Sequence, residues 1–273
     1  MKIGVHVHPE GVKKSIYPAP NVSRQLAWKN LWFFYTNPDF CYKVLGPLYL
    51  ICALLMLAWR GYGDISGTGG LLVRVWNQMS LLAPTPVFVL IVLGLGILLY
   101  KTADIKSTRR KQCIAPLHAL LHLAVILAGT AIGSVVLASL QSLNIAGEIL
   151  YFMALAVFMI ILGFLGGGIW GAYLAFVSRF WGDEPNSAFS AMRLNSYNHF
   201  LRLKIEGDKL TVYPIGIDKS PVRSGWKVNE AFDNDDPDQD TPAFIPTQAL
   251  GQHLIEEPIV IDANAISDLR PAS

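Results

Sequence analysis

The chain has 273 residues, of which 52% are apolar and 15% charged, and its formal net charge is +2. Soluble domains usually carry about a quarter charged residues, so this composition argues against a single soluble domain. The small net charge, with no basic patch interleaved with aromatic residues, argues against nucleic-acid binding. Charged residues cluster in the first 43 positions, around 101–111 and after 178. The long apolar runs between these clusters are typical of membrane spans.

Residues 1–40 predict a polar, proline-interrupted cytoplasmic arm followed by a helix that lies on the membrane surface. Ser23 is a candidate N-cap for this helix. Its apolar positions follow helical spacing and include Trp28, Leu31 and Trp32. Aromatic rings suit the headgroup region, where one side of the ring is wet and the other is dry.

Four apolar runs predict four transmembrane helices within a membrane region covering 41–179, at about 42–59, 81–100, 114–140 and 149–177. Residues 61–79 are predicted to be a loop whose apolar second half dips into the opposite interface. Pro84 and Pro86 are expected at the entry of the second span, where missing amide donors cost least. The last two runs exceed the roughly 20 residues that a bilayer needs, so we expect tilted helices there.

The distribution of Lys and Arg predicts that both termini are cytoplasmic. Six of these residues lie in the first 43 positions and five lie at 101–111. The loop at 60–80 has two, and the turn at 141–148 has none. In a four-span topology with a cytoplasmic N-terminus, all segments rich in Lys and Arg lie on the cytoplasmic side, as the positive-inside rule requires.

Residues 180–273 predict a small β-rich cytoplasmic tail. Apolar and charged residues alternate over 201–206, and the alternation resumes after a two-residue turn at Gly207. This pattern predicts a β-hairpin. The acidic stretch 234–240 predicts a disordered linker, and residues 254–261 predict one further short strand.

Two pairs of histidines are candidate metal or proton-transfer sites. His118 and His122 lie four residues apart on one face of the third predicted span. Ionisable groups inside a membrane are functional candidates. No carboxylate lies in any predicted span, so the alternative is a pair of neutral histidines hydrogen-bonded between helices. His6 and His8 alternate along a short run, but two ligands alone make a weak metal site.

The remaining motifs predict no catalytic residue, no cofactor and no firm metal site. No Gly-rich phosphate loop, Ser-His-Asp set or paired cysteine motif is present. Cys41, Cys52 and Cys113 lack the even number and paired spacing of a disulfide framework, so we expect free thiols.

Glycines at helical spacing predict a close contact between the third and fourth spans. The third span carries Gly129 and Gly133, and the fourth carries Gly163, Gly167 and Gly171. Small residues let helix backbones approach where lipid provides no hydrophobic drive for association. The alternative is a bent or broken helix that lines a path through the membrane.

Two separated stretches carry a resemblance to a known family. The first comprises Ser15–Leu31, Asn37–Phe40 and Leu45–Leu50. The second comprises Ala188–Leu194, Tyr197–Ile205, Leu210–Lys219 and Leu254–Ile259. Together they resemble the membrane-embedded C-terminal half of bacterial calcineurin-like metallophosphoesterases. In that family a soluble phosphoesterase domain precedes the membrane spans, so the resemblance implies a location in the bacterial inner membrane.

The family's chemistry depends on a dinuclear metal site built from Asp, His and Asn residues. This sequence contains no Asp-x-His and no Gly-Asn-His motif, and we expect too little chain before Ser15 to hold such a domain. Gly63-Asp64 and Gly182-Asp183 are isolated matches beside predicted spans. The resemblance therefore implies a membrane module without the family's catalytic domain.

The leading functional hypothesis is a membrane-anchoring or accessory module whose partners are the lipid bilayer and a separately encoded phosphoesterase domain. The alternative is a small channel or transporter subunit with a path near His118 and His122. An enzyme that acts alone is the third hypothesis. Glycine contacts serve packing within and between chains equally well, so an oligomer is compatible with each hypothesis.

Overall fold

The structure, a computed structural model, describes residues 17–60, 69–142, 148–233, 241–262 and 264. Its residues form two compact units, and each unit is described by itself. The helical unit is Arg24–Arg193, and the β unit comprises the described residues before and after it. These boundaries differ from those predicted at residues 40 and 179, because the segments beside the apolar helices pack onto them.

The N-terminal segment is a broken helix and not a regular one. It consists of α1 (Pro20–Leu26), a 3-10 helix (Ala27–Trp32) and α2 (Phe33–Thr36). Trp28 and Trp32 are exposed, as a membrane-surface helix requires, while Asn30 and Phe33 are buried on the opposite side. Ser23 lies inside α1 and its hydroxyl donates to the Pro18 carbonyl, so its predicted role as an N-cap is wrong.

Among the described residues, three helices are long and apolar enough to cross a membrane. The first runs over Pro38–Arg60 and consists of α3 (Pro38–Phe40), a π-helical turn (Cys41–Leu45) and α4 (Gly46–Arg60). The second is α7 (Thr108–Ser142). The third is α8 (Glu148–Phe176), which continues into a π-helical turn (Val177–Trp181). These helices correspond to the first, third and fourth predicted spans.

The second predicted span is not a single helix, so the prediction of four such helices is wrong. The chain forms α5 (Leu71–Leu82) and α6 (Pro86–Thr102), which are bent by 79° at the break between them. Pro84 lies in the break and Pro86 is the first residue of α6, so two amide donors are missing where a continuous helix would need them. The Thr85 hydroxyl accepts from the Phe88 amide and caps α6. The pair amounts to a fourth span only if it crosses a membrane as one broken element.

Helix α5 also corrects the predicted loop at 61–79, whose described part, from Gly69 onward, is largely helical. Its exposed side chains include Leu72 and Trp76, whereas Gln78 is buried. The Gln78 amide oxygen accepts a hydrogen bond from the Arg60 guanidinium at the end of α4. With 12 residues, α5 is too short to cross a membrane by itself.

The core of the helical unit lies where α4, α5, α7 and α8 meet. Its fully buried side chains include Tyr49, Met56, Leu82, Ile126 and Leu162. Apolar side chains on the outer faces of these helices remain exposed, for example Leu90, Leu120 and Phe152. Large exposed aliphatic surfaces of this kind mark contact with lipid or another apolar partner.

The glycines divide between two different contacts. A Cβ atom at Gly129 would lie 2.7 Å from Leu162 Cδ2, and one at Gly133 would lie 3.0 Å from the Phe158 ring. These two glycines therefore face α8, as the predicted contact between the third and fourth spans requires. The side chains of Leu162 and Phe158 on α8 fill the space beside these two glycines.

The other three predicted glycines face a different partner. A Cβ at Gly163 would lie 2.5 Å from the Cys41 carbonyl oxygen, and one at Gly167 would lie 2.5 Å from Cys41 Sγ. A Cβ at Gly171 would overlap the Asn30 carbonyl oxygen. This face of α8 thus packs against the N-terminal segment and the start of the first span, and not against α7. The helix is continuous through the glycines, so the alternative of a broken helix is not realised there.

The β unit contains the predicted hairpin. Strands β1 (Ser196–Glu206) and β2 (Lys209–Lys219) pair antiparallel, with Gly207 at a positive φ of 56° in the turn. The other side of β2 pairs with β5 (Gln252–Leu254) and β6 (Ile259–Asp262). The single predicted strand at 254–261 is therefore two strands, separated around Pro258. A short pair, β3 (Trp226–Val228) and β4 (Phe244–Pro246), forms a separate two-stranded sheet. The whole of the predicted linker, 234–240, lies outside the described residues.

Candidate functional site

The two histidines of α7 lie inside the helical unit. His118 and His122 are four residues apart, so they share one face of the helix. Their exposed fractions are 4% and 1%. The two Nε2 atoms are 2.9 Å apart and share one hydrogen bond. The structure therefore brings together the first predicted histidine pair, whereas His6 and His8 lie outside the described residues.

Helix α4 supplies Tyr49, the partner of His122 across the helix contact. The Tyr49 hydroxyl is hydrogen-bonded to His122 Nδ1. The tyrosine ring reaches this position because Gly166 of α8 leaves room for it, and a Cβ at Gly166 would lie 2.8 Å from the ring. Both ring nitrogens of His122 therefore have partners.

Helix α8 contributes two aromatic rings to the same cluster. The ring of Tyr173 stacks on the ring of His118 with a centroid distance of 4.1 Å and an interplanar angle of 10°. The Trp170 ring contacts His118 edge-on at 5.2 Å. These rings separate the imidazoles from the outer surface of the bundle.

The cluster continues beyond α8 to a buried carboxylate. The Tyr173 hydroxyl donates to Glu184 Oε1 over 2.7 Å. Glu184 also accepts from the Asp104 amide at 2.8 Å and from the Ser187 hydroxyl at 2.8 Å. Its exposed fraction is 4%. We name the series Tyr49, His122, His118, Tyr173 and Glu184 the polar column.

The backbone turn after α8 is what aims Glu184 at the column. Gly182 and Glu184 both adopt positive φ, 67° and 55°, and Pro185 then starts α9 (Pro185–Met192). Positive φ is rare for a residue other than glycine, so the packing around Glu184 must hold this conformation. Asp183 lies beside it, with Oδ2 3.9 Å from the Arg110 guanidinium.

The polar column does not form a continuous route for protons. Hydrogen bonds connect Tyr49, His122 and His118, but the contact between His118 and Tyr173 is a ring stack. One of the two Nε2 atoms donates a hydrogen bond and the other accepts it. Both imidazoles can therefore be neutral, and either histidine can be the donor, depending on the tautomers. Within the described residues, no three His, Cys, Asp or Glu side chains are placed to hold a metal ion together.

A cavity of about 430 Å³ lies elsewhere in the helical unit, between α4, α7 and α8. Its lining is almost entirely apolar and does not include His118 or His122. Three hydroxyls belong to the lining residues Thr130, Ser134 and Tyr151, and the first two donate to carbonyl oxygens of their own helix. The cavity therefore offers little hydrogen bonding to a polar ligand and does not connect with the histidines.

A smaller titratable cluster lies in the β unit. The Tyr17 hydroxyl donates to Asp218 Oδ1 over 2.8 Å, and the Tyr17 ring contacts those of Tyr197 and His253. Burial and the bond to Asp218 raise the pKa of Tyr17 above its usual value. His253 Nε2 is 4.0 Å from Asp218 Oδ1 and forms an ion pair there only when protonated. This cluster ties the chain before α1 to the β unit's sheet.

Sequence reasoning missed Tyr49, Tyr173 and Glu184 as partners of the histidines. Tyr49 and Tyr173 lie in apolar runs where a tyrosine is ordinary. Asp183 and Glu184 come soon after a span and precede a proline, which is a signal for a structured turn. The predicted tail, 180–273, includes both residues without a role for them. Their partners are far away in the chain; Asp104 is 80 residues from Glu184.

Replacing Tyr49 with phenylalanine is expected to lower stability by about 1 kcal/mol, because His122 Nδ1 loses its partner in a buried site. Tyr42→Phe is the matched control, since no hydrogen bond of its hydroxyl occurs in the described part of the chain. Thermal unfolding in detergent, followed by tryptophan fluorescence, compares the two. Equal midpoints for both variants would contradict the assigned hydrogen bond.

Comparison with known proteins gives no relative from which a function can be inferred. No protein-family model, no curated protein and no solved structure matches this chain. The functional argument therefore depends on the residues and the geometry alone.

Proposed function

We propose that this chain is a membrane-anchoring or accessory module that works with a separately encoded metallophosphoesterase domain. The observation that carries the proposal is the architecture, in which three helices long enough to cross a membrane are joined to a small β unit. The resemblance to the membrane half of calcineurin-like phosphoesterases adds the identity of the partner. The described residues that carry it lie in the segment packed on the glycines of α8, in α4 and α9, and in the four-stranded sheet.

In this proposal the helical unit is inserted in the bacterial inner membrane, and α5 and α6 cross it together as one broken span. This fourth crossing is what places both termini in the cytoplasm. The charge distribution supports that orientation. Cations gather where α6 ends and α7 begins, between Lys101 and Lys111, and Arg179 lies near the end of the third long helix. The opposite end of the first span is poor in cations, with only Arg60 at its last position and Arg74 within α5.

Insertion is tested by extraction. The chain is expected to stay in the pellet after alkaline washing of membranes and to dissolve only in detergent. A reporter fused after Ser273 is expected to be active in the cytoplasm. Release into plain buffer, or a reporter on the far side of the membrane, would overturn the topology.

The phosphoesterase link is tested by purification from native membranes in mild detergent. We expect a metallophosphoesterase subunit to co-elute, identified by mass spectrometry, and to bring manganese-dependent phosphodiesterase activity with it. The purified chain alone is expected to be inactive in the same assay. Elution without such a subunit, or activity of the chain alone, would contradict the proposal.

A small channel or transporter subunit is the second candidate, favoured by the buried His118–His122 pair in an apolar bundle. Two observations weigh against a transport function. Both imidazole rings are enclosed, and the contact between His118 and Tyr173 is a ring stack that does not continue the series of hydrogen bonds. Reconstituted vesicles with an internal pH dye discriminate the two functions. Proton flux that is lost in His122→Leu would support transport, whereas flux equal to that of empty vesicles supports the anchoring module.

A further inference from the structure

The helical unit carries a concentrated group of cations at one end, where α6 ends and α7 begins. We name it the cationic rim, and its members are Lys101, Lys106, Arg109, Arg110 and Lys111. We propose that the cationic rim binds the headgroup of an anionic phospholipid. This inference rests on the proposed membrane insertion, but not on the link to a phosphoesterase.

Two cation–ring contacts place the rim at the level where three helices end. The Arg110 guanidinium lies 5.3 Å from the ring centroid of Trp181, at the end of the third long helix. The Lys111 ammonium lies 5.3 Å from the ring of Tyr100, near the end of α6, and donates to the Ala103 carbonyl at 2.8 Å. Tryptophan and tyrosine beside cations at helix ends are typical of the headgroup level of a membrane.

The nearby carboxylates, Asp104, Asp183 and Glu184, are fewer than the five rim cations, so they balance this charge only in part. Glu184 accepts hydrogen bonds from the Asp104 amide and from the Tyr173 and Ser187 hydroxyls. Asp183 lies within 4 Å of a single rim cation, Arg110, at 3.9 Å. Lys101, Lys106 and Arg109 are exposed and form no ion pair within the described ranges of the chain. An anion is therefore the complementary partner for this surface.

The surface next to the rim argues for a lipid and not for a free anion. Leu98 of α6 is 55% exposed and Leu117 of α7 is 50% exposed. A helix rises about 1.5 Å per residue, so these side chains lie roughly 5 to 10 Å along their helices from Lys101 and Arg110. Further exposed aliphatic side chains continue along both helices, including Ile97 and Leu120. The cationic rim matches an anionic headgroup, and the exposed aliphatic side chains next to it match acyl chains. An anionic glycerophospholipid has both parts.

The experiment measures lipid binding to the purified full chain in a nonionic detergent by native mass spectrometry. Dioleoyl phosphatidylglycerol is compared with dioleoyl phosphatidylcholine, which has the same chains and no net charge. The test variant combines Lys101→Gln, Lys106→Gln and Arg109→Gln, because these cations hold no ion pair in the fold. The control variant removes three exposed cations of the β unit by Arg202→Gln, Lys219→Gln and Lys227→Gln.

The wild-type chain is expected to bind phosphatidylglycerol at least about 100-fold more tightly than phosphatidylcholine, since each interfacial cation contributes roughly 1 kcal/mol. The test variant should lose on the order of 100-fold in phosphatidylglycerol affinity, because it lacks three of these cations. The control variant should change by less than about threefold. Equal loss in both variants, or no preference for the anionic lipid, would overturn the proposal.

A further arm separates the lipid from a free anion. Glycerol 3-phosphate at millimolar concentration is expected to leave phosphatidylglycerol bound, because it lacks the acyl chains. Full displacement would mean that the rim is a site for soluble phosphate esters, which overturns the lipid assignment. A chain that needs detergent for extraction but shows no lipid preference refutes this inference alone, whereas one that dissolves in plain buffer refutes the membrane insertion.

Discussion

Gly163→Ala is expected to destabilise the helical unit by about 3 kcal/mol, although it adds one methyl group. The new Cβ would lie 2.5 Å from the carbonyl oxygen of Cys41, and a backbone atom cannot move aside as a flexible side chain does. Overpacking of a close contact costs about 1 to 3 kcal/mol and more when the backbone must shift. Gly171→Ala should behave alike, because its Cβ would overlap the Asn30 carbonyl oxygen and lie 2.7 Å from Phe33 Cβ.

Gly168→Ala is the matched control in the same helix. A Cβ at Gly168 meets nothing within 4 Å, so the substitution should be neutral or stabilise by up to about 1 kcal/mol through helix propensity. Gly163→Ala should lower the stability, whereas Gly168→Ala should not. This difference separates the effect of close packing from a general effect of alanine on α8.

Cys41 reports directly on this contact. It is fully buried, whereas Cys113 is exposed, so labelling is measured in a Cys52→Ala, Cys113→Ala background. We expect a maleimide to label Cys41 faster in Gly163→Ala than in Gly168→Ala. Equal labelling rates, with equal unfolding midpoints, would show that α8 does not pack against the N-terminal segment.

Glu184→Ala is expected to destabilise the protein by about 3 to 5 kcal/mol. The carboxylate accepts from the Asp104 amide, the Tyr173 hydroxyl and the Ser187 hydroxyl, and it is 4% exposed. Removing it leaves donors without an acceptor in a buried site, which costs about 1 to 3 kcal/mol for each. The loop before α7 should then open, so trypsin is expected to cleave after Lys106 more rapidly.

Two further variants test the role of the charge at this position. Glu184→Gln keeps an acceptor oxygen for Tyr173 and Asp104, so it should cost less than the alanine substitution. Glu206→Ala removes an exposed partner of Lys204, a contact that is worth at most about 1 kcal/mol. If the Glu184→Ala and Glu206→Ala variants have the same thermal unfolding midpoint, Glu184 does not hold the loop before α7 in place.

The polar column acts in the fold as an internal brace. It connects α4 through Tyr49, α7 through the histidines and α8 through Tyr173, and it ends at the loop that carries the cationic rim. A brace of this kind suits a rigid anchoring module, because every member of the column has a hydrogen bond or a stacked ring as a partner. It suits a transport path less well, since such a path needs polar groups that water or ions can reach.

The sequence by itself determined the long helices and the hairpin. The runs that form α4, α7 and α8 are too apolar and too long for an exposed loop, and a helix satisfies its backbone hydrogen bonds internally. The alternation over 201–206 and the turn at Gly207 likewise act through neighbouring residues, so β1 and β2 follow from local pattern. The bend at Pro84 shows the limit of this reasoning, since hydropathy averages over a window and does not register two missing amide donors.

Only the tertiary structure decided which partner each special residue meets. A glycine at 163 or 171 indicates that some backbone comes close, but not whether it belongs to α7 or to the N-terminal segment. The pattern at His118 and His122 likewise does not identify Tyr49 or Tyr173, which come from other helices. Glu184 meets Asp104 across 80 positions of the chain. Such contacts depend on how helices pack in three dimensions, and local spacing along the chain carries no record of that.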